Sequence, residues 1–130
     1  TYWCRCNACR PMTTYEESLC CKDEVPHDFF GETTCIAEHM DFQTVCLNVT
    51  VLKTTLNMLN NLRGNTIVYE NESLRYAAYR QFTWWVHNRL GKGINRVIPS
   101  CAIWAIRDKY PNESNTSIPF LEAREEENRL

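Results

Sequence analysis

The cysteines of this 130-residue chain are distributed very unevenly, and this constrains its fold more than any other feature. Five of the eight lie within the first 21 residues, in the segment 4–9 and in the adjacent pair Cys20 and Cys21. Cysteines that are adjacent or one residue apart rarely reach good disulfide geometry without strain. Thiolates at this spacing can instead converge on zinc, each sulfur about 2.3 Å from the ion. The pattern favours a structural zinc cluster formed by an N-terminal cysteine knuckle.

A secreted domain held together by four disulfides is the alternative that eight cysteines leave open. Asn-x-Ser/Thr triplets favour it, because such triplets accept glycans in secreted proteins. They begin at Asn48, Asn71, Asn112 and Asn115. In a cytosolic protein, clustered cysteines indicate metal ligands instead. The close spacing of the first five cysteines favours the metal.

Charge and hydropathy exclude two classes of partner. A net charge of −2 and a pI near 5.9 provide no electrostatic basis for binding nucleic acid. The sequence has no run of about eighteen apolar residues, so we expect no membrane span. An apolar content of 44% argues against disorder, and the length suits one domain with one core.

Helical periodicity dominates the remainder of the chain. The predicted helices cover residues 35–48, 51–62, 72–89 and 100–109, with a break between the first two near Thr50 and a short extended segment around 66–69. The sequence predicts a mainly α fold, a single compact domain of about four to six helices closed by the cysteine-rich zinc knuckle. Residues 1–112 form this domain, and residues 113–130 are expected to form a flexible polar and acidic tail.

Three segments together carry a family resemblance: the knuckle from Trp3 to Cys9, the run Leu-Arg-Tyr-Ala-Ala-Tyr-Arg at 74–80, and Ile-Pro-Ser-Cys at 98–101. Their order and cysteine pattern resemble the cytoplasmic C-terminal ballast domain of the P2X purinoceptor, subtype seven, an ATP-gated channel. The resemblance covers about residues 2–112. It implies a cytoplasmic location, at the inner face of a membrane where the domain is attached to a channel. A fragment and a free-standing relative are both open readings.

In that family, seven cysteines hold two zinc ions, and the resemblance transfers the ligand set to Cys4, Cys6, Cys9, Cys20, Cys21, Cys35 and Cys101. Seven thiolates supply the eight bonds of two tetrahedral ions if one thiolate bridges them. His27 is a rival to Cys35, because the stretch between Cys21 and Cys35 is longer than in the family. Cys46, among apolar neighbours, is expected to be a small core residue.

The family domain also binds a guanine nucleotide. The resemblance implies that a GDP or GTP site here would use Arg75, Tyr76, Tyr79, Arg96 and Ile98. Two basic residues expected beside the phosphates are replaced by Ile103 and Asn112, which removes charge-assisted contacts worth about 1.5–3 kcal/mol each. The two tyrosines are equally consistent with core aromatics at helical spacing.

No arrangement of catalytic residues is visible, so we do not expect an enzyme. The three histidines lack a Ser-Gly elbow or an HExxH frame, and zinc surrounded by four sulfurs has no position left for water. The predicted function is a cytosolic zinc-binding regulatory or interaction module with a guanine-nucleotide site and an unknown protein partner. The alternatives are a guanine-nucleotide sensor or slow nucleotidase, and the secreted disulfide-stapled domain.

Overall fold

The fold is helical, and the computed structural model describes residues 2–63, 69–87 and 98–112. Five α-helices are present in these ranges: α1 (Cys21–Glu24), α2 (Met40–Phe42), α3 (Val49–Arg63), α4 (Asn71–His87) and α5 (Ser100–Lys109). Shorter turns of 3-10 helix lie at Tyr15–Glu17, His27–Phe29 and Ile36–Glu38, and a π-helix covers Gln43–Leu47. No strand occurs in these ranges. The predicted mainly α class and helix count are confirmed, as are the bounds of the last helix.

The single helix predicted over residues 35–48 is wrong, because the structure divides this region into three short pieces. His39 has an extended backbone (φ −68°, ψ 138°), which ends the turn Ile36–Glu38. Its Nδ1 accepts a hydrogen bond of 2.9 Å from the backbone N–H of Asp41, so the imidazole caps α2. α2 then continues directly into the π-helix, whose wider turns hold Cys46 and Leu47 in the core.

The predicted break near Thr50 lies two residues earlier, at Asn48. The backbone of Asn48 is extended (φ −71°, ψ 119°). Its side-chain Oδ1 accepts hydrogen bonds from the backbone N–H groups of Thr50 (3.0 Å) and Val51 (3.2 Å). Asparagine is among the best residues at this position because its side chain satisfies amides that have no partner within the helix. Asn48 is therefore the N-cap of α3, which begins at Val49.

α4 is the central helix of the core. It packs against α3, the π-helix and α5. The Phe82 ring on α4 meets Phe42 edge-on, with 6.1 Å between centroids, and both side chains are fully buried. Leu52 of α3 and Ile106 of α5 are also buried in this core. Each such side chain contributes roughly 1.5–3 kcal/mol through removal from water. Trp85, also on α4, is only partly buried and packs against this core.

A buried arginine ties α4 to the end of α5. The Arg75 side chain is only 5% exposed, and its Nη1 donates a hydrogen bond of 2.8 Å to the backbone carbonyl of Tyr110. The Tyr110 hydroxyl donates in turn to the carbonyl of Leu47, at 2.6 Å. A buried guanidinium without such a partner would be strongly destabilising. These two hydrogen bonds connect α4, α5 and the π-helix.

No helix within the described residues combines the length and the apolar character needed to cross a membrane.

Most of the extended segment predicted around residues 66–69, the end of the helix predicted over 72–89, and the tail at 113–130 lie outside the described residues. Residue 69, which is described, is not in a strand. The division of the chain into a domain over 1–112 and a tail stays a prediction.

Candidate metal centre

Seven of the eight cysteine sulfurs lie in two groups of four that have one member in common. The outer set is Cys4, Cys6, Cys9 and Cys20. The inner set is Cys6, Cys21, Cys35 and Cys101. Within each set the sulfur atoms all lie within 4.8 Å of one another. These are the seven cysteines named from the sequence, and the shared residue, Cys6, has the position of a bridging ligand.

The separations between sulfur atoms fit a tetrahedral metal site. The Sγ atom of Cys6 lies 3.9 Å from that of Cys4 and 3.7 Å from that of Cys9. A tetrahedron of sulfurs around zinc, at a bond length of about 2.3 Å, has edges of about 3.8 Å. A disulfide would bring two sulfurs to about 2.05 Å. All eight cysteines lie in the described residues and are free thiols, so nothing here supports the disulfide alternative.

The outer set is formed by a tight local turn. Asn7 has a positive φ of 67°, a left-handed conformation that asparagine tolerates better than most side chains, and this turns the chain between Cys6 and Cys9. The backbone N–H of Cys9 then donates to the sulfur of Cys4, at 3.4 Å. Burial alone would raise the pKa of Cys4, but this bond and one from the backbone N–H of Cys6 lower it to about 6. The turn therefore favours a thiolate at Cys4.

The inner set brings together four separate segments of the chain. Cys6 comes from the knuckle, Cys21 begins α1, Cys35 precedes the turn Ile36–Glu38, and Cys101 lies in the first turn of α5. All four side chains are at most 2% exposed. A metal ion held by this set would therefore crosslink the start of the chain to its last described helix.

The pKa values of the inner thiols are shifted in opposite directions by burial and by hydrogen bonds between the thiols. Hydrogen bonds from Cys101 and Cys21 lower the pKa of Cys35 to about 5. Hydrogen bonds with Cys21 and Cys35 raise the pKa of Cys101, and burial raises that of Cys6 to about 11. Thiolate and thiol forms thus coexist in the set near neutral pH, and a dication is what allows all four to be thiolates. The donor set fits a soft divalent metal such as zinc.

Ser100 joins the knuckle to α5, a role that the sequence did not reveal. Its side chain is fully buried, and its backbone N–H donates to the carbonyl of Leu19 at 2.8 Å. Its hydroxyl donates to the carbonyl of Arg10 (2.7 Å) and accepts from the backbone N–H of Arg10 (3.1 Å). Serine at the start of a helix predicts a local cap. Only the fold shows that Ser100 instead holds residues 10 and 19 next to Cys101.

The three cations in the knuckle segment, Arg5, Arg10 and Lys22, each have a partner outside the cluster. Two dications and seven thiolates carry a formal charge of about −3. Arg5 forms an ion pair with Asp23, and Arg10 forms one with Asp108, with 3.1 Å between Nη1 and Oδ1. The ammonium group of Lys22 lies over an aromatic ring. Two of these cations therefore pair with surface carboxylates, and the third lies over an aromatic ring.

His27, the rival to Cys35, and Cys46, the predicted core residue, both lie outside the two sets. His27 begins the turn His27–Phe29 with an exposed side chain and belongs to neither group of candidate ligands, whereas Cys35 belongs to the inner one. Cys46 is fully buried in the π-helix, where burial raises its pKa. This placement is that of a core residue.

The residues named for a nucleotide are mostly inaccessible. Arg75, Tyr79 and Ile98 are buried, and Tyr76 is partly buried on the same helix, α4. Arg96 lies outside the described residues. The structure therefore brings Arg75, Tyr76 and Tyr79 together on one helix, with Tyr76 as the most accessible of the three.

The region around Tyr79 is nevertheless basic. Burial raises the pKa of Tyr79, while the guanidinium of Arg107, to which its hydroxyl is hydrogen-bonded, and that of Arg75 oppose the shift. Trp104 on α5 lies between two guanidinium groups, with its ring centroid 5.1 Å from Cζ of Arg10 and 5.3 Å from Cζ of Arg107. We call Arg75, Tyr79, Trp104 and Arg107 the basic face of α4 and α5.

Comparisons with known proteins identify relatives over most of the chain. The family model described as the P2X purinoreceptor 7 intracellular domain matches residues 1–120. P2X purinoceptor 7 of Rattus norvegicus is 30% identical over 117 residues, and that of Mus musculus is 27% identical over 114. Each alignment covers 84% of this chain and 18% of the relative. The chain thus spans less than a fifth of the length of these receptors.

Proposed function

The chain belongs to the family of P2X purinoreceptor 7 intracellular domains, and on that premise we propose that it is a zinc-stabilised regulatory or interaction module. The resemblance inferred from the sequence motifs is confirmed by the match over residues 1–120. The family is intracellular by description, in agreement with the predicted cytoplasmic location. The relatives are receptors by name, and no enzymatic activity is part of the proposal.

One observation carries the zinc assignment: two sets of four sulfurs share a single member, Cys6. Two tetrahedral ions need eight bonds, and seven thiolates supply them when one bridges. The ligands would be the seven cysteines of the outer and inner sets, with Cys6 common to both. When bound, zinc with four sulfur ligands supplies a crosslink rather than a reactive water.

The crosslink explains how a short chain maintains a buried cluster of thiols. The inner set joins the knuckle, α1, the segment before Ile36–Glu38 and α5. Because the ligands converge only in the folded state, metal binding contributes directly to the free energy of folding. A rigid module of this kind can present a partner-binding surface or limit the motion of a receptor segment attached to it.

Elemental analysis of protein purified without added metal tests this proposal. We expect about two zinc ions per chain, the number that two tetrahedral sets require. Cys46→Ala is the matched control, since Cys46 is a buried cysteine outside both sets, and it should keep both ions. Soluble, folded protein without zinc would overturn the assignment.

Guanine-nucleotide binding is the second function that we propose, and the basic face of α4 and α5 supports it. Arg75 and Arg107 both act on the hydroxyl of Tyr79, so positive charge is concentrated where an anion could be received. Ile103 is fully buried and cannot contact a phosphate, and Asn112 carries no charge. We therefore expect weak binding of GDP or GTP, with sensing of the nucleotide as its role and slow hydrolysis as the alternative.

Chromatography of the supernatant from denatured protein tests for bound nucleotide, and titration with GDP tests for saturable binding. Tyr76→Ala is the informative variant, because Tyr76 is only partly buried, whereas Arg75→Ala also removes a hydrogen bond of the core. Binding that is lost in Tyr76→Ala with unchanged melting supports the site. The absence of both co-purified nucleotide and saturable GDP binding would overturn it. Release of phosphate from GTP would favour the slow nucleotidase.

A further inference from the structure

We infer that the two metal positions are unequal: the outer set exchanges its ion with the surroundings, while the inner set retains its ion until the domain unfolds. The inference rests on the zinc binding proposed above and assigns different roles to the two sets. It follows from three features of the structure: where the ligands come from in the chain, which of them reach the surface, and which of them both sets share.

The first feature is the origin of the ligands. Every cysteine of the outer set lies within residues 4–20, so this set can open through a local movement of the knuckle. The inner set draws on the knuckle, α1, the segment before Ile36–Glu38, and α5. Opening it requires α5 to separate from the rest of the domain. Local openings cost much less free energy than global ones, so the outer set opens more often.

The second feature is access. Cys4 and Cys9 are partly exposed, whereas every sulfur of the inner set is buried. Cys9 precedes Arg10, whose backbone is held by Ser100 on α5. The contacts beside Cys4 are local ones: the backbone N–H of Arg5 donates to the sulfur of Cys20 (3.3 Å), and the Arg5 guanidinium pairs with Asp23, so none of them reaches α5. Cys4 is therefore the ligand that leaves first and admits a competing ligand.

The third feature is the shared ligand. When the outer position empties, the bonds from Cys4, Cys9, Cys20 and Cys6 to that ion break, and the dication passes to the competing chelator. The first three thiolates then take protons from solvent or bind an incoming soft dication such as Cd²⁺. Cys6 remains bound to the inner ion as a terminal ligand. The inner set thus keeps four sulfurs and a complete tetrahedral shell.

A chelator time course on the zinc-loaded chain tests this inference. A chromogenic zinc chelator records the release, native mass spectrometry counts the ions that remain, and N-ethylmaleimide followed by peptide mapping identifies the exposed thiols. We expect one equivalent to be released rapidly and the second at least about tenfold more slowly, with denaturant accelerating mainly the second. Cys4 should be alkylated first, and Cys21, Cys35 and Cys101 only during the slow phase.

Matched variants separate this inference from the proposal on which it rests. Cys4→Ser should lower the zinc content from two ions to one and leave the protein folded, and Cys46→Ala should keep two. Two ions that leave in a single phase, or alkylation of the inner cysteines before Cys4, would overturn the inequality while leaving zinc binding intact. Wild-type protein without zinc would overturn the proposed function itself. The time course needs no variant, so it decides the matter even if Cys4→Ser does not fold.

Discussion

The cysteine cluster and the basic face of α4 and α5 are both groups of wholly or partly buried polar side chains, but the partners of these side chains differ. In the cluster, seven sulfurs lie mainly against one another; burial raises the pKa of Cys6, and hydrogen bonds with Cys21 and Cys35 raise that of Cys101. On the basic face, Arg75 donates to the carbonyl of Tyr110, and Tyr79 is hydrogen-bonded to Arg107. The protein itself therefore supplies partners for Arg75 and Tyr79. For the sulfurs, the partner that we propose is a metal ion.

A buried polar side chain indicates a ligand only when the fold does not already explain its position. Side chains that the fold already satisfies can be explained by stability alone, as Arg75 is by its hydrogen bond. Burial alone explains single thiols, because a buried cysteine behaves as a small hydrophobe, but it does not explain why seven of them gather at the spacing of two tetrahedral metal sites. Zinc is therefore the better supported of the two proposed ligands.

The largest expected effect comes from removing a ligand of the inner set. Cys35→Ala should leave the domain unfolded or without the inner ion, because structural zinc sites contribute about 10–16 kcal/mol, as much as the whole stability of a typical domain. The matched variant is His27→Ala, which replaces the exposed rival ligand. Circular dichroism and zinc analysis provide the measurement. A folded Cys35→Ala protein with two zinc ions, or loss of zinc in His27→Ala, would show that His27 rather than Cys35 is the ligand.

A smaller effect is expected on the basic face. Arg75→Met keeps the length of the side chain but leaves the Tyr110 carbonyl without its charged donor, so the free energy of unfolding should fall by about 1.5–3 kcal/mol. The zinc content should stay at the wild-type value, because Arg75 lies outside both sets. Urea denaturation, with zinc analysis of the same samples, measures both quantities. Loss of zinc in the folded variant would show that the two regions are energetically coupled.

The Tyr110 hydroxyl should contribute less, because it is neutral. Tyr110→Phe removes its hydrogen bond to the carbonyl of Leu47 and should lower the free energy of unfolding by about 0.5–1.5 kcal/mol. Tyr15→Phe is the control, since the Tyr15 side chain is 83% exposed and its replacement should change little. Equal effects of the two variants in urea denaturation would contradict the buried connection between α5 and the π-helix.

Local patterns explain what could be predicted from the sequence. The bounds of α5 follow from the prolines at 99 and 111, which flank it, and the seven clustered cysteines follow from short spacings and family motifs. The divided region before α3 could not be predicted, because Cys46 and Leu47 are held in a π-helix by packing against α4. The burial of Arg75 depends on a carbonyl 35 residues away in the sequence, which no helical periodicity indicates.

The smallest expected effect lies at the rim of the cluster, where Arg10 pairs with Asp108. Both side chains are about half exposed, so the pair should contribute about 0.2–1 kcal/mol and lose part of that in salt. Asp108→Asn removes this attraction, but it also frees the guanidinium of Arg10 to offset the negative charge of the metal-loaded cluster. These effects have opposite signs, so the melting temperature of the zinc-loaded variant should stay close to that of the wild type. A clear loss of stability would mean that Asp108 supports the cluster through something other than its ion pair with Arg10.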